Sequence, residues 1–145
     1  MGFNINTNEA LIVDGGNLPF STTNLSQIGN AVVAVLKKPA ATSNQFIYID
    51  SFTATQNEIL AEFEKVTGKK WDVSVTTSEQ AKKEGLELFG KGDFAGLLSL
   101  LKVIMLSEGY GSDFTKDATL SNSKLGLPDQ SLSKTITAIV AGKPI

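Results

Sequence analysis

Thr55-Gln56-Asn57-Glu58 is a capping box set between two runs of β-branched and aromatic residues, and this arrangement constrains the fold more than any other stretch. The Thr55 hydroxyl can accept the Glu58 amide while the Glu58 carboxylate reaches back to the Thr55 amide, so a helix starts here. Ile59, Leu60, Phe63 and Val66 give that helix one apolar face, and Gly68 suits its left-handed end. Upstream, Phe46-Ile47-Tyr48-Ile49 reads as a strand; downstream, Trp71, Val73 and Val75 alternate with polar residues as in a half-buried strand. Strand, capped helix and strand in this order predict a βαβ unit, its two strands parallel and joined by a right-handed crossover.

The flanking segments read as more strand and more helix. Ala10-Leu11-Ile12-Val13 is an apolar strand closed by the turn Asp14-Gly15-Gly16-Asn17, and a loop carries Pro19. A helix follows from Asn24 to Leu36, with Leu25, Ile28, Val32, Val35 and Leu36 at helical spacing on one face. Thr23 or Asn24 can cap its start, Asn24 reinforced by Gln27, while Lys37, Lys38 and Pro39 suit its end. Thr77 opens a helix running to Phe89, and Asp93 caps another from Phe94 to Ser107. That last helix is apolar around much of its circumference, so it is either buried on most sides or faces a partner. A glycine-rich loop spans Glu108 to Phe114, and a final helix carries Leu132, Ile136, Ile139 and Val140. The whole, residues 1–145, reads as one α/β domain without linker or repeat.

Composition removes whole classes of chemistry. The chain has no cysteine and no histidine, so there is no disulfide, no thiolate nucleophile and no Ser-His-Asp triad. Acid–base work falls to carboxylates, lysines, Tyr48 or Tyr110. A net charge of −2 gives no electrostatic footprint for nucleic acid. The first residues lack the basic start and apolar run of a signal peptide, and the apolar stretch from Phe94 to Leu106 is too short to span a bilayer. The expected location is cytoplasmic, with no membrane contact.

The motifs that would carry chemistry are weak. Gly15-Gly16 lacks the third glycine of a dinucleotide turn, and its helix starts too late to aim amides at a pyrophosphate. Gly109-Tyr110-Gly111 follows a helix where a phosphate loop follows a strand. Asp113, Asp117 and the glutamates Glu58, Glu62 and Glu64 do not match a calcium loop, and no metal site is expected. Lys102 reads as a snorkelling side chain. Phe20, Phe52, Tyr110 and Phe114 stand out instead, because all four lie at loops or element ends, where binding residues concentrate. They are the candidate pocket residues; no catalytic or cofactor-binding residue is assigned.

Several phrases, in order, carry a family resemblance. They include Gly16-Asn17-Leu18-Pro19-Phe20-Ser21-Thr22-Thr23, Ile28-Gly29-Asn30-Ala31, Ser51-Phe52-Thr53-Ala54-Thr55-Gln56-Asn57-Glu58 and Thr67-Gly68-Lys69-Lys70-Trp71. Farther on stand Gly92-Asp93-Phe94, Glu108-Gly109-Tyr110-Gly111-Ser112-Asp113-Phe114 and Leu125-Gly126-Leu127-Pro128. Together they resemble the C-terminal, substrate-side half of NmrA-like and isoflavone-reductase-like proteins, a branch of the short-chain dehydrogenase superfamily. The resemblance implies the C-terminal part of a Rossmann-type fold with a small, incomplete sheet. It also implies NADP(H) and a catalytic lysine in an N-terminal half that would lie upstream, so this chain alone is not expected to bind the cofactor. What it implies for these positions is lining of a small-molecule cleft by Phe20, Phe52, Tyr110 and Phe114.

Three functions follow as expectations. The first is the substrate-binding portion of an NAD(P)H-dependent oxidoreductase, catalytically incomplete as written. The second is a non-catalytic redox sensor or transcriptional regulator of the same family. The third is an interaction module that docks a partner through an exposed apolar helix. Unpaired strand edges and the apolar helix from Phe94 fit a truncated or split gene product better than an independent enzyme, unless the chain oligomerises.

Overall fold

The computed structural model describes residues 2–145. In chain order its elements are β1 (Phe3–Asn4), β2 (Glu9–Val13), β3 (Phe20–Thr22), α1 (Leu25–Lys37), α2 (Pro39–Thr42), β4 (Phe52–Ala54), α3 (Gln56–Thr67) and β5 (Asp72–Thr76). There follow α4 (Ser78–Gly90), α5 (Ala95–Leu106), α6 (Phe114–Asp117), α7 (Asn122–Leu125) and α8 (Leu132–Val140). The architecture is α/β, consistent with part of a Rossmann-like fold.

The capping box forms as the sequence requires. Thr55 accepts the Glu58 amide at 3.1 Å, Glu58 accepts the Thr55 amide at 2.8 Å, and Gly68 ends α3 with φ +66°. The expected parallel pair also exists, but with a different partner strand. β5 pairs in parallel with β2, from Glu9↔Asp72 to Val13↔Thr76, and β1 adds antiparallel on the other side of β2. Phe46–Ile49 is not a strand: Tyr48 alone bridges to Leu120, and Phe46 is 91% exposed. Strand preference reports fit to a half-buried surface, and the buried surface belongs to β2, whose Ala10, Ile12 and Val13 are all core residues. α3 is entered instead from β4, which pairs antiparallel with β3 through Phe20↔Ala54, Ser21↔Thr53 and Thr22↔Phe52.

The core joins these parts. Ile12 and Val13 of β2, Phe20 and Ala54 of the small sheet, Ile59 and Phe63 of α3, Trp71, Leu106 and Ile136 form one buried cluster. Phe63 lies 4.8 Å from Trp71 and 5.6 Å from Phe3 between ring centroids. Each large side chain buried here contributes about 1.5–3 kcal/mol. Beyond the end of β1, the buried Gln56 amide continues the edge of β2. Its Oε1 accepts the Val13 amide at 2.9 Å and its Nε2 donates to the Leu11 carbonyl at 3.0 Å.

Two helices depart from their expected burial. α1 turns Gln27 and Ala31 inward and leaves Leu25, Ile28, Val32 and Leu36 exposed, the reverse of what its apolar spacing predicts. The polar groups that claim its inner face are described below. α5 buries Gly96, Val103 and Leu106, while Phe94, Leu98, Leu101 and Ile104 face out. It packs against α4, where a Cβ on Gly96 would fall 2.5 Å from the Gly85 carbonyl oxygen, so only glycine permits this approach. In β5 the half-buried reading also fails, for Val73 and Val75 are exposed although Trp71 is buried. Among the described residues, no helix is long and apolar enough to cross a membrane.

Candidate functional site

The segment between α5 and α6 builds the most structured cleft. Gly109 and Gly111 take φ +89° and +69°, which bends the chain away from α5 and across the end of β3. The Ser21 amide donates to the Ser112 carbonyl at 2.8 Å, and the Phe114 amide donates to Ser21 Oγ at 2.9 Å. Asp113 Oδ1 accepts the Thr115 amide at 3.0 Å and so starts α6. Between this segment and Leu18-Pro19 lies a cleft of about 470 Å³.

Behind the loop, a chain of hydroxyls runs to a buried carboxylate. Ser21 Oγ lies 2.7 Å from Thr53 Oγ1, Thr53 donates to Asp50 Oδ2 at 3.2 Å, and Asp50 is 7% exposed. Asn122 Nδ2 donates to the Asp50 carbonyl at 2.8 Å and to Asp50 Oδ1 at 3.2 Å, and Asn122 Oδ1 accepts the Asp50 amide. The carboxylate is thus held by neutral donors, and it fixes β4 to α7.

Charge and hydrogen bonding set what the cleft can accept. Glu108, Asp113 and Asp117 line it with a single cation, Lys116, so it disfavours an anion. Ser107 also lines it, and the Ser107 hydroxyl is buried without any protein partner among the described residues. A buried hydroxyl left unpaired costs about 1–3 kcal/mol. No described group of three or more Asp, Glu, His or Cys residues is arranged to hold a metal ion.

A second polar network holds α1. Asn24 caps the helix by backbone position only, since its side chain donates to Gln130 Oε1 and, at 2.8 Å, to Thr135 Oγ1. Gln130 Nε2 donates to Gln27 Oε1 at 3.2 Å, and Gln27 Nε2 donates to the Pro128 carbonyl at 3.0 Å. Ser51 Oγ accepts the Asn24 amide at 3.0 Å. Gln27 is fully buried, so this network turns the inner face of α1 polar.

The four candidate aromatic residues are not brought into one cleft. Phe20 is fully buried in the core. Phe52 lines a separate apolar cleft of about 230 Å³ with Phe3, Phe63, Leu132, Ile136 and Ile139. Tyr110 sits between the two lining glycines, with 48% of its surface exposed. Phe114 meets the Tyr48 ring edge-on at 5.4 Å, behind the same loop. Ser107, Asp50 and the Ser21–Thr53 pair were not legible as site residues, since nothing in their local pattern marks a buried polar group.

The Gly15-Gly16 turn is a structural bend. Asp14, Gly15 and Gly16 have φ of +47°, +77° and +71°, and Asp14 Oδ1 accepts the Ser78 amide at 2.9 Å. Asn57 Nδ2 donates to the Gly15 carbonyl at 2.8 Å, and a Cβ on Gly16 would meet Ile12 and Asn57. The turn is closed by protein and leads into β3.

Comparison with known proteins finds curated relatives along nearly the whole chain. No family model matches it. Over 142 residues, 98% of the chain, it is 34% identical to a protein named oxidoreductase aprR from Aspergillus flavus, of which it covers 48%. Over 109 residues, 75% of the chain, it is 37% identical to oxidoreductase poxI from Penicillium oxalicum, of which it covers 35%. The chain therefore spans about half the length, or less, of the curated relatives it matches.

Proposed function

We propose that this chain is the substrate-side portion of an NAD(P)H-dependent oxidoreductase of the NmrA-like and isoflavone-reductase-like kind. The observation that carries the reading is similarity along 98% of the chain to a named oxidoreductase of which it spans 48%. The described residues do not fit a dinucleotide. Gly15-Gly16 is closed by Ile12 and Asn57, and the glycine loop that starts at Gly109 follows a helix and is flanked by carboxylates. In this reading cofactor binding and hydride transfer belong to a portion outside the described residues.

The contribution of this chain is to bind and orient. The cleft beside Gly109–Asp117 accepts an uncharged molecule bearing a hydroxyl or carbonyl group. Ser107 would supply a hydrogen bond, Leu18 and Pro19 an apolar wall, and the acidic rim would exclude anions. The loop is preorganised by its bonds to Ser21, which lowers the ordering cost of binding.

The test is kinetic, in an assembly that contains both portions. Leu18→Ala and Ser107→Ala should each raise KM for enone or aryl-carbonyl substrates several-fold while leaving NADPH affinity unchanged. A loss of NADPH affinity in these variants contradicts the assignment. NADPH binding without turnover of any such substrate supports the redox-sensor reading instead.

A further inference from the structure

Four large apolar side chains on one side of α1 stay exposed among the described residues. Leu25, Ile28, Val32 and Leu36 are 75%, 42%, 54% and 74% exposed, and they follow one another along one side of the helix. No charged residue occurs from Leu25 to Leu36, and the exposed polar residues are Ser26 and Asn30. α4 differs, because it interleaves its apolar residues with Glu79, Lys82, Lys83, Glu84 and Glu87, whereas the outward Leu98, Leu101 and Ile104 of α5 share their helix with one charged residue, Lys102. A helix normally turns its apolar side inward; here the buried Gln27 and the Asn24–Gln130–Thr135 network hold the polar side in.

Gly29 lies on the outward side, between Leu25 and Val32, and a Cβ added to it would touch nothing within 4 Å. Glycine weakens a helix interior relative to alanine, and no packing within this chain requires it. It leaves a flat, side-chain-free step in the middle of the apolar stripe, suited to close approach by another backbone.

We infer that this face of α1 is the docking surface for the cofactor-binding portion of the oxidoreductase, whether that portion is joined to this chain or separate. The inference rests on the reading under Proposed function. A relative that matches 98% of this chain has about half its length outside the match, so a polypeptide large enough to cover the stripe exists in that relative. An uncharged, fully apolar stripe suits a permanent interface better than a transient one.

The experiment co-expresses this chain with the part of the Aspergillus flavus relative outside the match. Complex formation is measured by light scattering and affinity by calorimetry, with NADPH binding read separately. The double variant Leu25→Glu with Leu36→Glu, its circular dichroism unchanged, should weaken the complex at least about tenfold, as expected from losing buried leucine contacts. Gly29→Ala should raise the melting temperature of the chain alone and yet weaken the complex. Absence of a complex, equal affinity in the double variant, or self-association through α1 that excludes the second portion overturns the docking assignment. A complex that depends on α1 but binds no NADPH keeps the docking and removes the cofactor reading. NADPH binding gained in a fusion that tolerates both glutamates does the reverse.

Discussion

The Ser21 hydroxyl lies 2.7 Å from the Thr53 hydroxyl, and their next partners fix the direction of the proton between them. Thr53 spends its one proton on Asp50 Oδ2, so Ser21 donates to Thr53 and accepts the Phe114 amide. A single directed chain thus connects the loop backbone to a buried carboxylate. The cleft loop is held in place by the core of the small sheet.

Removing the middle of that chain should therefore loosen the loop. Thr53→Val leaves one Asp50 oxygen without its donor and the Ser21 hydroxyl proton without its acceptor, and should destabilise the protein by about 1–3 kcal/mol in urea unfolding. Hydrogen exchange at Ser112–Phe114 should accelerate in the variant. Unchanged exchange there would show that the loop is held by other contacts.

Gln27 offers a sharper stability test, because it is fully buried on a helix whose opposite side is exposed. Gln27→Leu leaves Gln130 Nε2 and the Pro128 carbonyl without their partner. The expected loss is roughly 2 kcal/mol or more. By contrast, Val32→Thr on the outer side of α1 should change the stability of the chain alone by less than about 0.5 kcal/mol. Equal losses at the two positions would contradict the inverted orientation of α1.

Acid should release the junction between α3 and β5. Glu64 accepts the Lys70 ammonium at 2.8 Å and the Trp71 amide at 3.2 Å, and these bonds hold its carboxyl below the ordinary value. Hydrogen bonds from Ser133 and Lys65 lower Glu62 likewise. A carboxyl depressed in the folded state stabilises fully above its unfolded pKa, and that contribution fades as pH falls through the folded value. Stability should accordingly drop on acidification through the carboxylate range, and Glu64→Gln should flatten the drop. Lys70 is 90% exposed, so salt should weaken its part of the effect.

Local rules were legible wherever the physics is local. The capping box and the left-handed Gly68 both follow from residues within a turn or two of one another. Periodicity placed Leu25, Ile28, Val32, Val35 and Leu36 on one face of α1, of which Val35 is half-buried and the other four are exposed, and it does not say which way a face points. That direction is decided by Gln130 and Thr135, more than one hundred positions away from Asn24 and Gln27. Phe46–Ile49 fails as a strand for a similar reason, since pairing depends on a neighbour that local preference does not reveal. The loop around Tyr110 and Phe114 was visible through its glycines. Ser107 and Asp50 were not, because a buried hydroxyl or carboxylate has the same local sequence as a solvated one.

The most direct test of the account is an NADPH titration followed by calorimetry, run on this chain alone and on its assembly with the remaining portion of the relative. The account predicts no heat of binding for the chain alone and saturable, one-to-one binding for the assembly. Stoichiometric binding by the chain alone, or none by a well-folded assembly, would contradict it.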